Sequence, residues 1–260
     1  MHDIIETAGA KIALTEQGSG KTALVFLHYW GGSGRTWRHV AARLGDAHLL
    51  MPDLRGWGAS VANDERYDLD AMADDVGAVI AAKGLTRFAL VGHSMGGKVA
   101  QMLAMRGLPG LAGLVLVAPA PTAPMPVPAE IRAAMLASYQ SAEGVAQAIG
   151  VLTHGPLSDE DRAMVTEDTL GGADGAKRAW PETGMVADLG QGLSAFDGPV
   201  TILVGAADKV ENPDRLRALY AAQLPQAKFR VNAGAGHLSP LEAPDSVADA
   251  CRDMLGRLSG

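Results

Sequence analysis

The chain has 260 residues, 48% of them hydrophobic and 20% charged, which fits one globular domain with an insertion and not two ordinary large ones. A net charge of −7 (22 basic against 29 acidic residues), with no basic run, argues against a nucleic-acid partner. The single cysteine, Cys251, allows neither a disulfide framework nor a Cys-based zinc site and fits a reducing compartment.

In chain order, the N-terminal "MHDIIETAGAKIALTEQG" carries early acids and no apolar signal region, and no stretch reaches about 18 uninterrupted apolar residues. Neither a signal peptide nor a membrane span is expected, and the protein reads as cytoplasmic. "GSGKT" at 18–22 imitates the end of a phosphate-binding loop, but that motif needs a glycine where this chain has Thr15, and a helix where a strand is expected. A hairpin-type turn is the better reading. Continuous apolar runs at 23–28, 48–53, 88–92, 111–120, 200–205 and 228–232 predict strands covered on both faces. Between them, segments 69–84, 96–107, 212–224 and 246–258 repeat apolar residues at three- and four-residue spacing, the mark of amphipathic helices. The alternation implies an α/β fold: a three-layer α/β/α sandwich around a mostly parallel sheet. It lapses over 121–194, where only helix and loop are expected, with Ser158 as an N-cap. The expected organisation is a core domain of 1–120 and 195–260 with a helical cap insertion at 121–194.

The strongest chemical signal is "LVGHSMGGKVAQMLA", in which Ser94 is flanked by Gly92 and Gly96 between a strand and a helix. Small residues two before and two after a serine allow a sharp strand-to-helix turn that lifts its hydroxyl out. The same turn aims the Met95 N–H at the charge that forms when a carbonyl is attacked. A serine hydroxyl needs a base, and the base needs a group to hold its tautomer. Of seven histidines, His237 lies in a glycine-rich loop after the last expected strand; His2, His39, His48 and His154 are poorly placed. Asp208, just past a strand end and between Ser94 and His237 in chain order, is preferred as the acid over its rival Asp53.

Together the strand order, the GHSMGG turn, "DLRGWGAS" at 53–60, the Asp208 turn and "GHLSPLEAP" resemble the α/β-hydrolase family over essentially the whole chain. The resemblance implies a Ser94, Asp208, His237 triad, a cap over 121–194, and a structural role for Asp53 and Arg55. It also implies a second oxyanion donor in "VFLHYWGGSG" (25–34), by position the N–H of Trp30, with His28 bracing the loop. The family usually has glycine where this chain has Tyr29; if that position requires positive φ, tyrosine is strained there, and Gly31 and Gly32 could take over the bend.

Tyr29, His93, Trp180, Met185 and Leu238 are the candidate substrate-contacting residues, although His93, next to the nucleophile, is expected to point away from it. Met125, Met135 and Met164 could shape the same apolar pocket or belong to the core. No metal or cofactor is expected, since there is no His-Glu-x-x-His and no Cys/His cluster. The function expected is a serine hydrolase cleaving a carboxylic ester of a small to medium apolar molecule. Lactonase, amidase, perhydrolase and C–C bond hydrolase are alternatives, the last disfavoured because Leu238 stands where such enzymes often have tryptophan. A non-catalytic ligand receptor on the same fold is the alternative of another class. The partner is then a small-molecule acyl substrate, with no nucleic acid or membrane; the oligomeric state stays open.

Overall fold

The computed structural model describes residues 3–259. Among the described residues, nine strands form one sheet: β1 (Asp3–Glu6), β2 (Ala10–Gln17), β3 (Ala23–Leu27), β4 (His48–Pro52), β5 (Val61–Ala62), β6 (Phe88–His93), β7 (Leu111–Val117), β8 (Val200–Gly205) and β9 (Lys228–Asn232). Their order is β1-β2-β4-β3-β6-β7-β8-β9, with β5 on β2. From β4 to β9 every pair is parallel, while β1, β2, β4 and β5 pair antiparallel through β2.

The apolar runs are continuous because both faces are covered. Ala23, Val25 and Leu27 pack into one cluster with the helices Leu69–Ala82, Met95–Met105 and Pro213–Gln223. Leu24 and Phe26, alternate residues of the same strand, pack into a second cluster with the helix Pro244–Ser259. The layers are thus helix, sheet, helix. Cys251 is a free, buried member of that second cluster.

One expectation is corrected here. The turn at 18–22 is not a hairpin, because β4 lies between β2 and β3 and the two never pair. Within the region expected to hold helix and loop, 128–152 forms two helices, Ala129–Ser138 and Ala142–Leu152, because the chain turns at Tyr139 and restarts with the Ser141 side chain accepting from Gly144 N–H. Between β7 and β8 the helices Asp159–Gly171 and Asp174–Ala179 follow, the first capped by Ser158 as expected.

β3 is the point from which the sheet grows both ways, to β4 on one side and to β6 on the other. Crevices at the carboxyl ends of strands around such a reversal are where open α/β sheets bind ligands. Leu27 pairs in register with Gly92, so the loop after β3 and the turn after β6 emerge side by side.

Candidate active site

Only Ser94 separates β6 from the helix Met95–Met105. The turn is possible because Ser94 takes φ 51° and ψ −113°, a conformation that costs a non-glycine residue about 1–3 kcal/mol. Its neighbours over-determine it: Ser94 N–H donates to the Val117 carbonyl at 3.0 Å, and Ala120 N–H donates to the Ser94 carbonyl at 3.1 Å. The flanking glycines have a steric cause. A Cβ on Gly92 would lie 2.6 Å from the Gly96 carbonyl oxygen, and one on Gly96 would lie 2.3 Å from that of Leu27. Met95 opens the helix, where N–H groups lack intrahelical acceptors.

Beyond β8 and β9, two loops bring Asp208 and His237 together: His237 Nδ1 lies 2.8 Å from Asp208 Oδ2. Asp208 Oδ1 accepts from the N–H groups of Val210 (2.8 Å) and Glu211 (2.9 Å). Burial disfavours the Asp208 charge, but His237 and these donors outweigh it and hold the carboxyl below its usual range. An ionised carboxylate can only accept, so Nδ1 carries the proton and Nε2 keeps its lone pair. Burial works against the His237 cation, yet the charge and hydrogen bond of Asp208, then Glu211 and Glu242, prevail and raise its pKa. The loop that carries His237 is clamped from outside. His237 and Leu238 N–H both donate to the Leu152 carbonyl, and Glu242 accepts from the N–H groups of His154, Gly155 and Gly236.

The loop after β3 is built from His28. Its Nε2 accepts from Leu54 N–H at 2.9 Å, which requires the proton to sit on Nδ1, and Nδ1–H donates to the Tyr29 carbonyl at 2.8 Å. That carbonyl belongs to the same peptide plane as the Trp30 N–H, so His28 sets the direction of the N–H, which has no acceptor among the described residues. Burial lowers the His28 pKa and keeps the ring neutral in this role. Tyr29 does not take positive φ; Gly31 does, at 95°, so the bend falls two residues later and tyrosine is unstrained there. Helices between β7 and β8 hold the rest of the loop. Tyr139 OH donates to the Trp30 carbonyl (3.0 Å), Thr169 Oγ1 to the Gly31 carbonyl (3.0 Å), and the Trp30 indole stacks on Tyr139 at 3.8 Å.

Ser94, His237, Tyr29 and Trp30 line one cavity of about 460 Å³, walled by Met125, Val127, Met135, Val151, Trp180 and Met185 among others. Among the described residues, Lys209 is its single formally charged lining side chain. Residues 24–250 match the family model described as the alpha/beta hydrolase family.

The chain belongs to the alpha/beta hydrolase family. It is 38% identical over 100 residues to the 2-succinyl-6-hydroxy-2,4-cyclohexadiene-1-carboxylate synthase of Salmonella typhimurium, a match covering 37% of this chain and 38% of that protein. An esterase from Exiguobacterium antarcticum superposes with a TM-score of 0.89 at 20% identity, covering 98% of this chain and all (100%) of that one. A thermophilic esterase from Thermogutta terrifontis gives 0.84 at 28% identity, covering 99% of each chain. Among the described residues of this alpha/beta hydrolase, no helix is long and apolar enough to cross a membrane.

Of the residues read from the sequence, Ser94, His237, Tyr29, Trp30, Trp180, Met185, Met125 and Met135 share the cavity wall. Met95 and Asp208 stand behind the wall, and three of the pocket candidates do not reach it either. His93 is fully buried behind it, with Nε2–H donating to the His237 carbonyl at 2.8 Å, because adjacent strand residues point to opposite faces. Leu238 and Met164 are buried in a cluster with Tyr29. Asp53 accepts from Gly34 and Ala59 N–H, and Arg55 pairs with Asp64 and Asp75, which leaves both as braces of the loops below. His2 lies outside the described residues. The sequence reading missed Tyr139, Glu211 and Glu242. Glu242 sits inside the quoted "GHLSPLEAP", but its partners at 154 and 155 are remote in sequence and leave no local pattern.

Proposed function

We propose that this alpha/beta hydrolase cleaves carboxylic esters with an apolar acyl group through an acyl-enzyme on Ser94. The observation that carries this reading is the ordered set of Ser94 on its strained turn and His237 with its proton fixed on Nδ1 by Asp208, both reaching one largely apolar cavity. His237 Nε2 takes the Ser94 proton as Oγ attacks the ester carbonyl, and the resulting oxyanion is met by the N–H groups of Trp30 and Met95. The imidazolium returns its proton to the departing alcohol, and water, activated by the same nitrogen, releases the acid. The helices of 121–194 act as the cap that supplies the apolar wall. Preorganised donors of this kind contribute about 2.7–4 kcal/mol each to the transition state.

The name of the Salmonella relative specifies a product with two carboxylates, that of a succinyl group and a ring carboxylate. Burying two such charges requires paired cations, and this cavity offers Lys209 alone among the described residues. That favours the neutral ester. Turnover of p-nitrophenyl esters of graded chain length tests the reading. Hydrolysis of short to medium acyl chains that disappears in Ser94→Ala is expected; equal rates for the two proteins, or no hydrolysis by a folded wild type, would overturn it.

A further inference from the structure

Three residues beyond Asp208, on the turn leading into the helix Pro213–Gln223, Glu211 is almost wholly buried, and neither of its carboxyl oxygens has a hydrogen-bond partner among the described residues. Its backbone N–H donates to Asp208 Oδ1, so both acids are carried by one turn. A buried acid without donors opposes folding, and an apolar residue of similar volume would fill the same space without that cost. Buried polar groups left unpartnered beside reacting groups are found where their charge is used.

The charges that face Glu211 come from four elements. Asp208 lies on its own turn, His237 on the loop after β9, Lys98 on the helix Met95–Met105, and Arg215 on the next helix, its Nη1 3.7 Å from Oε2; Tyr220 on that helix also senses Glu211. Burial raises the Glu211 carboxyl to about 7, against the pull of His237 and Arg215. The effect is reciprocal: after Asp208, Glu211 raises the His237 pKa.

Resting on the ester-hydrolase reading of the site, we propose that Glu211 is a second carboxylate behind the His237 imidazole, joining Asp208 in stabilising the cation formed when His237 takes the Ser94 proton. It acts through His237 and takes up no proton in the step: the proton leaves Ser94 Oγ and resides on His237 Nε2. Among the described residues no hydrogen bond holds either Glu211 carboxyl oxygen, and Arg215 Nη1 lies 3.7 Å from Oε2; when ionised the carboxylate therefore acts on the imidazolium, and its burial weakens the fold.

The linkage has a definite sign. A carboxyl whose folded pKa is raised contributes stability that is present below its unfolded value of 4.5 and lost as pH rises through about 7. Glu211→Gln and Glu211→Met are therefore expected to raise Tm, by a margin larger at about pH 8 than at about pH 5. At the same time the acid limb of kcat/KM, which reports His237, moves to lower pH by about half a unit or more, and kcat on the plateau falls roughly three- to tenfold. KM changes little, and Glu211→Asp, which keeps a carboxylate, retains most of the wild-type profile.

The same downward movement is expected in an NMR titration of His237 in a Ser94→Ala background, with and without Glu211→Gln, a readout that needs no turnover. Superimposable pH profiles and His237 titrations, or an unmoved limb with a lowered Tm, would overturn the role of Glu211. Absence of Ser94-dependent ester turnover in the wild type would instead overturn the ester-hydrolase reading.

Discussion

The turn at Ser94 and the loop at Trp30 face one cavity from neighbouring strands, yet they are held in opposite ways. Ser94 is fixed by its own surroundings in the core: backbone hydrogen bonds to Val117 and Ala120, and glycines that let the helix Met95–Met105 press onto the end of β3. The Trp30 loop is fixed by side chains, His28 from below and Tyr139 and Thr169 from helices more than a hundred residues away in sequence. Damage to the first should read as lost stability, and damage to the second as lost rate in a folded protein.

The largest effect expected lies outside both, at Asp208, which holds the His237 ring. Asp208→Asn leaves the Val210 and Glu211 N–H groups an acceptor but can turn a donor toward His237, favouring the wrong tautomer. A loss in kcat of roughly 10³–10⁴-fold is expected with a folded protein by circular dichroism. Next comes His28→Ala, which frees the Tyr29–Trp30 peptide plane: steady-state kinetics should show kcat falling roughly 10²-fold with a much smaller change in KM. Equal losses in kcat and stability with an intact oxyanion response to inhibitors would place His28 in the first group instead. Gly96→Ala tests the other region, since the new methyl would meet the Leu27 carbonyl oxygen. Urea unfolding should show a loss of about 2–3 kcal/mol or more. The smallest effect is Tyr139→Phe, which keeps the stack on Trp30 and removes one hydrogen bond of about 1 kcal/mol. Its kcat should fall several-fold with Tm nearly unchanged.

The same division decides what the amino-acid sequence could reveal. The Ser94 turn is local, so its glycines, strand and helix stand within eighteen consecutive residues, and the strands read out as apolar runs because both faces are buried. That Asp208 and His237 meet was expected from their place after strands and their chain order. β1, β2 and β5 gave no strand signal because exposed or mixed positions such as Asp3, Ile4, Lys11 and Val61 break the continuous pattern. The loop at Trp30 was legible only as a position. Its bend at Gly31, its His28 clamp and its Tyr139 partner depend on tertiary contacts that leave no periodic trace.

The central claim is that Ser94 is an activated nucleophile, and reaction with an organophosphate followed by intact-protein and peptide mass spectrometry tests it most directly. One adduct per chain, located on Ser94 and absent from Ser94→Ala, is the predicted result. A folded wild-type protein that takes up no label, or takes it up equally well in Ser94→Ala, would contradict it.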